Sequence, residues 1–210
     1  MNEAILLVGG GKMGAALLKG WRERGRERRI IIVEPNPAFE APPATELHRA
    51  PATLPKDLKP SLVVLAVKPQ ILGEVLPPYR RFGETSLFLS ICAGKTLGFF
   101  ARHLGPAAAV VRAMPNTPAA IGRAISVACA NPHTDETQRA LAERALAAVG
   151  EVAWVEEEGL IDAVTAVSGS GPAYVFLLIE ALAAAGVKAG LPADLAARLA
   201  RSTVAGAGEL

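Results

Sequence analysis

The chain has 210 residues, of which 51% are hydrophobic, 20% are charged and 5% are aromatic, and its formal net charge is +2. This composition excludes a disordered or fibrous chain, and the weak charge gives no reason to expect a nucleic-acid partner. The two cysteines, Cys92 and Cys129, are too few for a disulfide framework or a cysteine-rich zinc site, so a reducing cytoplasm is expected. Alanine occupies 40 positions, which favours closely packed elements.

The N-terminal three quarters of the chain alternate short apolar runs with helical patterns, which predicts an α/β fold with a parallel sheet. Glycine and proline mark the ends of these elements, and Thr134 or Asp135 is expected to cap one helix. Residues 37–60 contain six prolines and predict a short helix and a weak edge strand. Pro69 is expected at a helix start. Strands are predicted at residues 3–8, 29–34, 62–67, 86–91, 108–113, 125–130 and 151–155, and helices at 12–25, 95–104 and 134–149.

After residue 156 no further strand pattern appears. Helices are predicted at residues 157–166, 170–185 and 192–208. Gly186 and Gly190 are predicted to mark the break between the last two. We therefore predict a Rossmann-type dinucleotide-binding domain at residues 1–156, followed by an all-α segment at residues 157–210. Glu180 interrupts the most apolar helix, and the first residues lack the basic region of a signal peptide, so neither a membrane span nor a leader is expected.

The first predicted strand leads into a glycine motif. Gly9, Gly11 and Gly14 match the pattern G-x-G-x-x-G between a strand and a helix. In this context Gly9 permits the tight turn, Gly11 removes the side chain that would block a pyrophosphate, and Gly14 lets helix and strand approach. The N–H groups at the helix start would then face the phosphates. A glycine turn in some other βα unit is the alternative.

Glu34 ends the second predicted strand, 20 positions after Gly14, at the spacing expected of the acidic residue that binds the adenosine ribose. A carboxylate there favours NADH, because a 2′-phosphate about 4 Å away would be repelled by roughly 4 kcal/mol at an effective dielectric near 20. Asn36 could donate to either ribose form, and the arginine-rich stretch 22–29 could offset the repulsion. The cofactor is therefore expected to be NADH or NADPH.

Further loops follow the later strands, where open α/β sheets bind ligands. Lys68 and Pro69 follow one strand and Cys92 follows the next; Cys92 is expected to be a small buried side chain rather than a nucleophile. The run of residues 168–171, Ser-Gly-Ser-Gly, opens a helix and predicts either an anion site or tight helix packing. The three histidines are isolated in the sequence, so no metal site is expected.

In this order these segments resemble the pyrroline-5-carboxylate reductase family, over the whole chain. The family reduces the imine of 1-pyrroline-5-carboxylate to L-proline with NADPH or NADH, the last step of proline synthesis. The segments are Gly-Gly-Gly-Lys-Met-Gly at 9–14, Ala-Val-Lys-Pro-Gln at 66–70, Met-Pro-Asn-Thr-Pro at 114–118, the run at 162–174, which is the most specific, and Gly-Val-Lys-Ala-Gly-Leu-Pro at 186–192.

The resemblance implies a set of site residues. Those near the reacting ring are Asn116, Ser170 and Gly171. Those that bind the cofactor are Val8, Gly9, Gly10, Gly11, Lys12, Met13, Gly14, Glu34, Asn36, Ala66, Val67, Lys68, Pro69, Cys92, Ala93 and Gly94. It also implies a homodimer or larger homo-oligomer built by the helical segment.

Glu34 departs from the small polar residue that many NADPH-using members carry. The family also continues past the last predicted helix, with a Gly- and Thr-rich loop that binds the substrate carboxylate and with further dimer helices. The helical segment is therefore expected to be incomplete, with the carboxylate anchor beyond Leu210, and no catalytic residue is assigned. Two alternatives stay open: a dinucleotide-binding fragment without turnover, and another reductase that pairs a Rossmann domain with helices. Enzymes of that second type carry a catalytic lysine on a helix, whereas Lys188 is predicted in a turn.

Overall fold

The structure of the protein, a computed structural model, describes residues 4–24 and 29–210. The first residue of the first predicted strand, the predicted helix stop at Gly25 and residues 25–28 of the arginine-rich stretch lie outside the described residues.

A single mixed sheet forms the centre of the fold. The strands are β1 (Ile5–Val8), β2 (Ile30–Val33), β3 (Thr45–His48), β4 (Leu62–Leu65), β5 (Leu87–Ser90), β6 (Val110–Met114), β7 (Ala124–Ala130) and β8 (Gly150–Trp154). Their order in the sheet is β3-β2-β1-β4-β5-β6-β7-β8. All neighbouring pairs are parallel except β6 and β7, which are antiparallel.

The described residues form seven α-helices and several short 3₁₀ turns. The α-helices are α1 (Lys12–Glu23), α2 (Leu72–Val75), α3 (Leu97–Leu104), α4 (Glu136–Leu146), α5 (Leu160–Val164), α6 (Gly171–Lys188) and α7 (Ala193–Ala207). The 3₁₀ turns are Pro51–Thr53, Pro69–Ile71, Pro77–Phe82, Thr117–Ile121 and Ala147–Val149. The strand β3 and the turn after it are the edge strand and the short helix predicted in residues 37–60.

Helices cover both faces of the sheet, which explains why the inner strands are continuous apolar runs. Every residue of β1, β2 and β4 is buried. Alternate residues of β1 point to opposite sides: Leu7 packs with α1 and α4, and Leu6 packs with α2 and α3. A parallel sheet covered on both faces requires this pattern. The structure confirms the α/β Rossmann-type prediction.

Small residues bring the helices of one face close together, as the alanine content predicts. A Cβ on Gly20 of α1 would lie 2.5 Å from the carbonyl oxygen of Ala148. Beside it the indole N–H of Trp21 donates to the carbonyl of Ala145 at 2.9 Å. At the start of α4, Asp135 and Gln138 form a reciprocal capping box, so Asp135 rather than Thr134 is the cap.

The helices after β8 differ from the prediction at their junctions. Helices were expected at 157–166 and 170–185, whereas one helical path runs from Leu160 to Lys188 through a π-helical turn at Thr165–Gly169. Pro172 has no N–H and so cannot bond to a carbonyl one turn back. Just before it, the Ser170 N–H reaches five residues back to the carbonyl of Thr165 at 2.8 Å, which is a π-helical bond. A π turn of this kind lets the helix continue where the Gly-Ser-Gly-Pro run predicts a break.

The glycines near the end of α6 have different roles. Gly190 lies just past the helix with φ +99°, which is the expected helix-ending geometry. Gly186 was expected to mark the end of the helix, but it lies inside α6. An added Cβ there would meet the Cβ of Ala196 at 3.1 Å, so the glycine allows α6 and α7 to approach. Lys188, expected in a turn, is the last residue of α6.

The path Leu160–Lys188 is, within the part of the chain that the structure describes, the one helix long and apolar enough to cross a membrane, judged by length and composition alone. The interruption at Glu180 therefore does not by itself exclude a membrane span. No residue of α6 is buried in the isolated chain. Apolar surface of this extent marks an interface.

Candidate functional site

The loop between β1 and α1 uses each glycine of the motif differently. Gly9 has φ +99°, and a Cβ there would lie 2.7 Å from the carbonyl oxygen of Ala66. A Cβ on Gly14 would lie 2.3 Å from the carbonyl oxygen of Gly9, so a side chain cannot fit between helix and loop. A Cβ on Gly11 would have no atom within 4 Å. The structure therefore leaves the space in front of Gly11 open.

The start of α1 lies directly behind that open space. Gly11 is the N-cap residue of α1, and its side chain can make no cap bond. The first turn holds no acidic residue. An uncapped helix start of this kind, with exposed Gly11 and Lys12, presents N–H groups and a cation to an anion. Met13, the next residue, is half-buried and packs against the core beneath α1.

Gly10 has a role that sequence reasoning missed. A Cβ on Gly10 would lie 2.5 Å from the ring of Phe39. Phe39 belongs to the irregular segment after β2, so this contact holds that segment against the glycine loop. Only the close approach of two distant segments shows the need for glycine here, and a single sequence carries no sign of it.

The carboxylate of Glu34 is held on the same loop. Its Oε2 accepts the Gly10 N–H at 2.6 Å and its Oε1 accepts the Asn36 N–H at 2.9 Å. Both oxygens therefore have fixed directions, and the carboxylate lies between the glycine loop and the end of β2. Asn36 is exposed, and its side-chain oxygen accepts the Ala38 N–H at 3.0 Å.

A cavity of about 760 Å³ opens beside this loop at the carboxyl ends of β1, β2 and β4. This is the edge at which open α/β sheets bind ligands, on either side of the strand where the chain order reverses. Of the predicted residues it is lined by Val8, Gly9, Gly11, Glu34, Ala66, Val67 and Lys68. Pro69 begins the 3₁₀ turn that follows Lys68, as predicted for a helix start.

The loop after β5 lies next along the sheet edge. Cys92 is 2% exposed, and its single S–H lies within hydrogen-bond distance of the carbonyl oxygens of Leu65, at 3.4 Å, and Val67, at 3.2 Å. Burial raises the pKa of the Cys92 thiol above its ordinary value, so the group is neutral. Ala93 and Gly94 are exposed beside it, and Gly94 has φ +69°. Cys92 thus joins two neighbouring loops as a small buried group, as expected.

The residues predicted near the substrate lie on two elements that meet. Asn116 begins the turn after β6, and its side-chain oxygen accepts the Ile125 N–H at 3.1 Å. Ser170 lies at the junction of the π turn and α6, followed by Gly171. The π turn touches the end of β6, because a Cβ on Gly169 would lie 2.7 Å from the Met114 Cε.

Two N–H groups at the start of α6, where an anion site is one of the two predictions, already have partners. The Ser170 N–H is already bonded to Thr165, and the Ala173 N–H is bonded to the Ser170 carbonyl at 3.0 Å. Pro172 has no N–H. Gly169 serves close packing against Met114, whereas a Cβ on Gly171 would meet no atom within 4 Å.

An ion cluster around the buried Arg112 joins the sheet to the helical region, and no pattern in the sequence indicates it. The Arg112 side chain on β6 is 5% exposed, and its Nη1 lies 3.0 Å from the Glu158 carboxylate. Its Nη2 lies 3.5 Å from the carboxylate of Asp162 on α5. The same Glu158 oxygen accepts the Leu97 N–H at the start of α3, at 2.7 Å. One carboxylate thus links β6, α3 and the segment leading into α5.

Across residues 4–24 and 29–210, no three His, Cys, Asp or Glu side chains lie close enough together to hold a metal ion.

Comparison with known proteins agrees with this geometry. The sequence model described as NADP oxidoreductase coenzyme F420-dependent matches residues 4–94, and the model described as pyrroline-5-carboxylate reductase dimerisation matches residues 158–210. Pyrroline-5-carboxylate reductase of Synechocystis sp. is 40% identical over 214 residues, which cover 100% of this chain and 79% of that protein. The enzyme of Pseudomonas aeruginosa is 38% identical, covering 98% of this chain and 77% of the relative.

Solved structures show the same similarity. A pyrroline-5-carboxylate reductase from Coxiella burnetii superposes with a TM-score of 0.87 at 31% identity, covering 100% of this chain and 79% of that one. The Plasmodium falciparum pyrroline carboxylate reductase, solved with NADP bound, gives a TM-score of 0.86 at 30% identity, covering 99% and 78%. With this identity and coverage, the chain belongs to the pyrroline-5-carboxylate reductase family.

Proposed function

We propose that the protein reduces 1-pyrroline-5-carboxylate to L-proline with a hydride from NADPH or NADH. The observation that carries the proposal is the open glycine cradle at the mouth of the cavity, in a chain of this reductase family. The curated relatives bear the name of this activity, and one related structure was solved with NADP bound.

The residues present fit a dinucleotide. The cavity of about 760 Å³ lies within the range of small-molecule and cofactor sites. The open space at Gly11 and the uncapped start of α1 suit a pyrophosphate, and the fixed carboxylate of Glu34 suits the hydroxyls of a ribose. We therefore infer that the sixteen cofactor residues predicted from the sequence surround the dinucleotide.

The orientation of Glu34 favours NADH as the preferred cofactor. Both of its oxygens are held by backbone N–H groups, so the charge cannot turn away from a ribose at this position without losing a hydrogen bond. A ribose hydroxyl can still donate to such an oxygen, because a carboxylate oxygen has more than one lone pair. NADH would gain a bond here, and the 2′-phosphate of NADPH would meet a fixed negative charge.

Hydride transfer requires the protein to orient the nicotinamide and the imine, and it does not require a nucleophile. When bound, the nicotinamide supplies the hydride, and a protonated cyclic imine accepts it at carbon. Ala66, Val67 and the loop after β5 would wall the ring, and the buried Cys92 would hold the two loops together behind it. Asn116, Ser170 and Gly171 are proposed to lie near the substrate. The catalytic proton donor and the carboxylate anchor are not assigned to any residue.

The helical region is proposed to pair with a second copy of the chain. The dimerisation model matches residues 158–210, and the apolar face of α6 is exposed, including Phe176 at 60% and Leu177 at 65%. Glu180 also lies on this helix, and a charge in the middle of a bilayer costs about 3 kcal/mol, which favours a protein partner over lipid. We infer a homodimer or larger homo-oligomer in the cytoplasm, without a nucleic-acid or membrane partner.

The test is turnover. The protein is mixed with 1-pyrroline-5-carboxylate and either NADH or NADPH, and loss of the near-ultraviolet absorbance of the reduced cofactor is followed together with proline formation. Oxidation of cofactor and formation of proline in equal amounts are expected. Binding of NADH by calorimetry with no turnover would instead identify a binding protein, and turnover of a different carbonyl or imine only would identify another reductase.

A further inference from the structure

Arg49 holds the segment that carries Glu34, although no motif marks it in the sequence. It follows β3 directly and its side chain reaches back across the end of β2. The guanidinium donates to the carbonyl oxygens of Glu34 at 3.2 Å, Asn36 at 2.5 Å, Pro37 at 3.4 Å and Phe39 at 2.9 Å. Four neutral oxygens thus surround one full positive charge.

That charge lies on the wall of the proposed cofactor cavity. Arg49 lines the cavity together with Glu34, and its Nη1 bonds the backbone of that same residue. In residues 4–24 and 29–210, no carboxylate forms an ion pair with Arg49, whereas Arg29, Arg112 and Arg139 each have at least one. The guanidinium therefore keeps its charge available beside the position of the adenosine ribose.

Two opposite charges consequently flank one position. Glu34 accepts from a 2′-hydroxyl and repels a 2′-phosphate, while a guanidinium can donate two parallel hydrogen bonds to phosphate oxygens. The carbonyl oxygens that Arg49 contacts are neutral and exposed to water, so exchanging two of them for a phosphate loses little.

We propose that Arg49 is a specificity-determining residue that binds the 2′-phosphate of NADPH and so offsets the preference for NADH set by Glu34. The proposal rests on the proposed dinucleotide site. It assigns tolerance of both cofactors to two residues of this chain, Glu34 for the hydroxyl form and Arg49 for the phosphate form.

The test measures binding of adenosine fragments by calorimetry, without turnover. The probes are adenosine 2′,5′-bisphosphate and adenosine 5′-monophosphate, which differ only in the 2′-phosphate. Arg49→Met is expected to weaken the affinity for the bisphosphate by roughly 10- to 100-fold, because a charge-assisted pair of hydrogen bonds is lost. The affinity for the monophosphate should fall by less than about threefold. Arg49→Lys, which keeps the charge without the planar fork, should fall between the wild type and Arg49→Met. The matched control is Arg102→Met, an exposed arginine on α3 that does not line the cavity, and it should change neither affinity.

The outcomes separate the two proposals. Equal weakening of both probes in Arg49→Met would show that the residue only holds the segment in place, and would overturn the specificity role. Unchanged binding of the bisphosphate would overturn it as well. Failure of the wild-type protein to bind either probe would instead refute the dinucleotide site. Thermal unfolding of each variant confirms that the comparison is made between folded proteins, and Arg49→Lys still decides the question if Arg49→Met is unfolded.

Discussion

The open space at Gly11 leads to the sharpest prediction. Gly11 has φ −61° and ψ 179°, angles that alanine adopts freely, and an added methyl group would meet no protein atom within 4 Å. Gly11→Ala should therefore fold normally, and restriction of the unfolded chain should raise the free energy of unfolding by up to about 1 kcal/mol.

The same methyl group would project into the space proposed for the pyrophosphate. Crowding a filled site by one carbon costs about 2 kcal/mol, which corresponds to a roughly 30-fold weaker affinity for NADH. The contrast is Gly14→Ala, whose Cβ would lie 2.3 Å from the carbonyl oxygen of Gly9. That variant should lose about 2 kcal/mol of folding stability or more, because backbone has to move.

Calorimetric titration with NADH and denaturant unfolding, applied to both variants, measure the two quantities separately. Gly11→Ala should change affinity without loss of stability, and Gly14→Ala should change stability first. If Gly11→Ala binds NADH as tightly as the wild type does, the pyrophosphate does not lie over this residue. A large loss of stability in Gly11→Ala would refute the described cap geometry.

Three further predictions concern other parts of the molecule. Arg112→Met should lower the free energy of unfolding by about 2 kcal/mol because it leaves the charge of Glu158 without its cationic partner. The double variant with Glu158→Gln should recover part of that loss in the same denaturation assay, and no recovery would show that the pair is not coupled. Cys92 should react slowly with a thiol reagent at mildly alkaline pH, since its raised pKa leaves little thiolate, and rapidly once urea unfolds the protein; equal rates would contradict its burial. Leu177→Glu should shift the mass measured by light scattering from oligomer to monomer, whereas an unchanged mass would place the interface elsewhere.

The sheet and the glycine loop were predictable because they depend on local signals. Runs such as residues 30–33 and 62–65 consist of apolar residues alone, which only a strand covered on both faces requires. The glycine spacing and the position of Glu34 likewise follow from one turn geometry. The cap at Asp135 was narrowed by sequence to two residues, and the reciprocal bonds with Gln138 decide between them.

Arg49 and Arg112 were not predictable for the opposite reason. Each acts on segments distant in sequence, and an arginine after an edge strand or within an apolar strand has no periodicity that marks its partners. For Arg112, the nearest charged partner is Glu158, 46 residues away. These contacts form only in the folded chain, in which β2 lies beside β3 and β6 lies beside α5.

Glycine illustrates why local reasoning succeeds in one place and fails in another. A glycine is required either where φ is positive or where another atom occupies the position of Cβ. Gly9 meets both conditions and Gly190 meets the first. Glycines with positive φ can be predicted because they lie at turns and helix ends that the sequence pattern marks. Gly186 meets only the second condition, through Ala196 on the neighbouring helix, and so does Gly10, through Phe39. A helix stop and a helix contact are then indistinguishable in sequence, which is why Gly186 was predicted to end α6 when it allows α6 and α7 to pack closely.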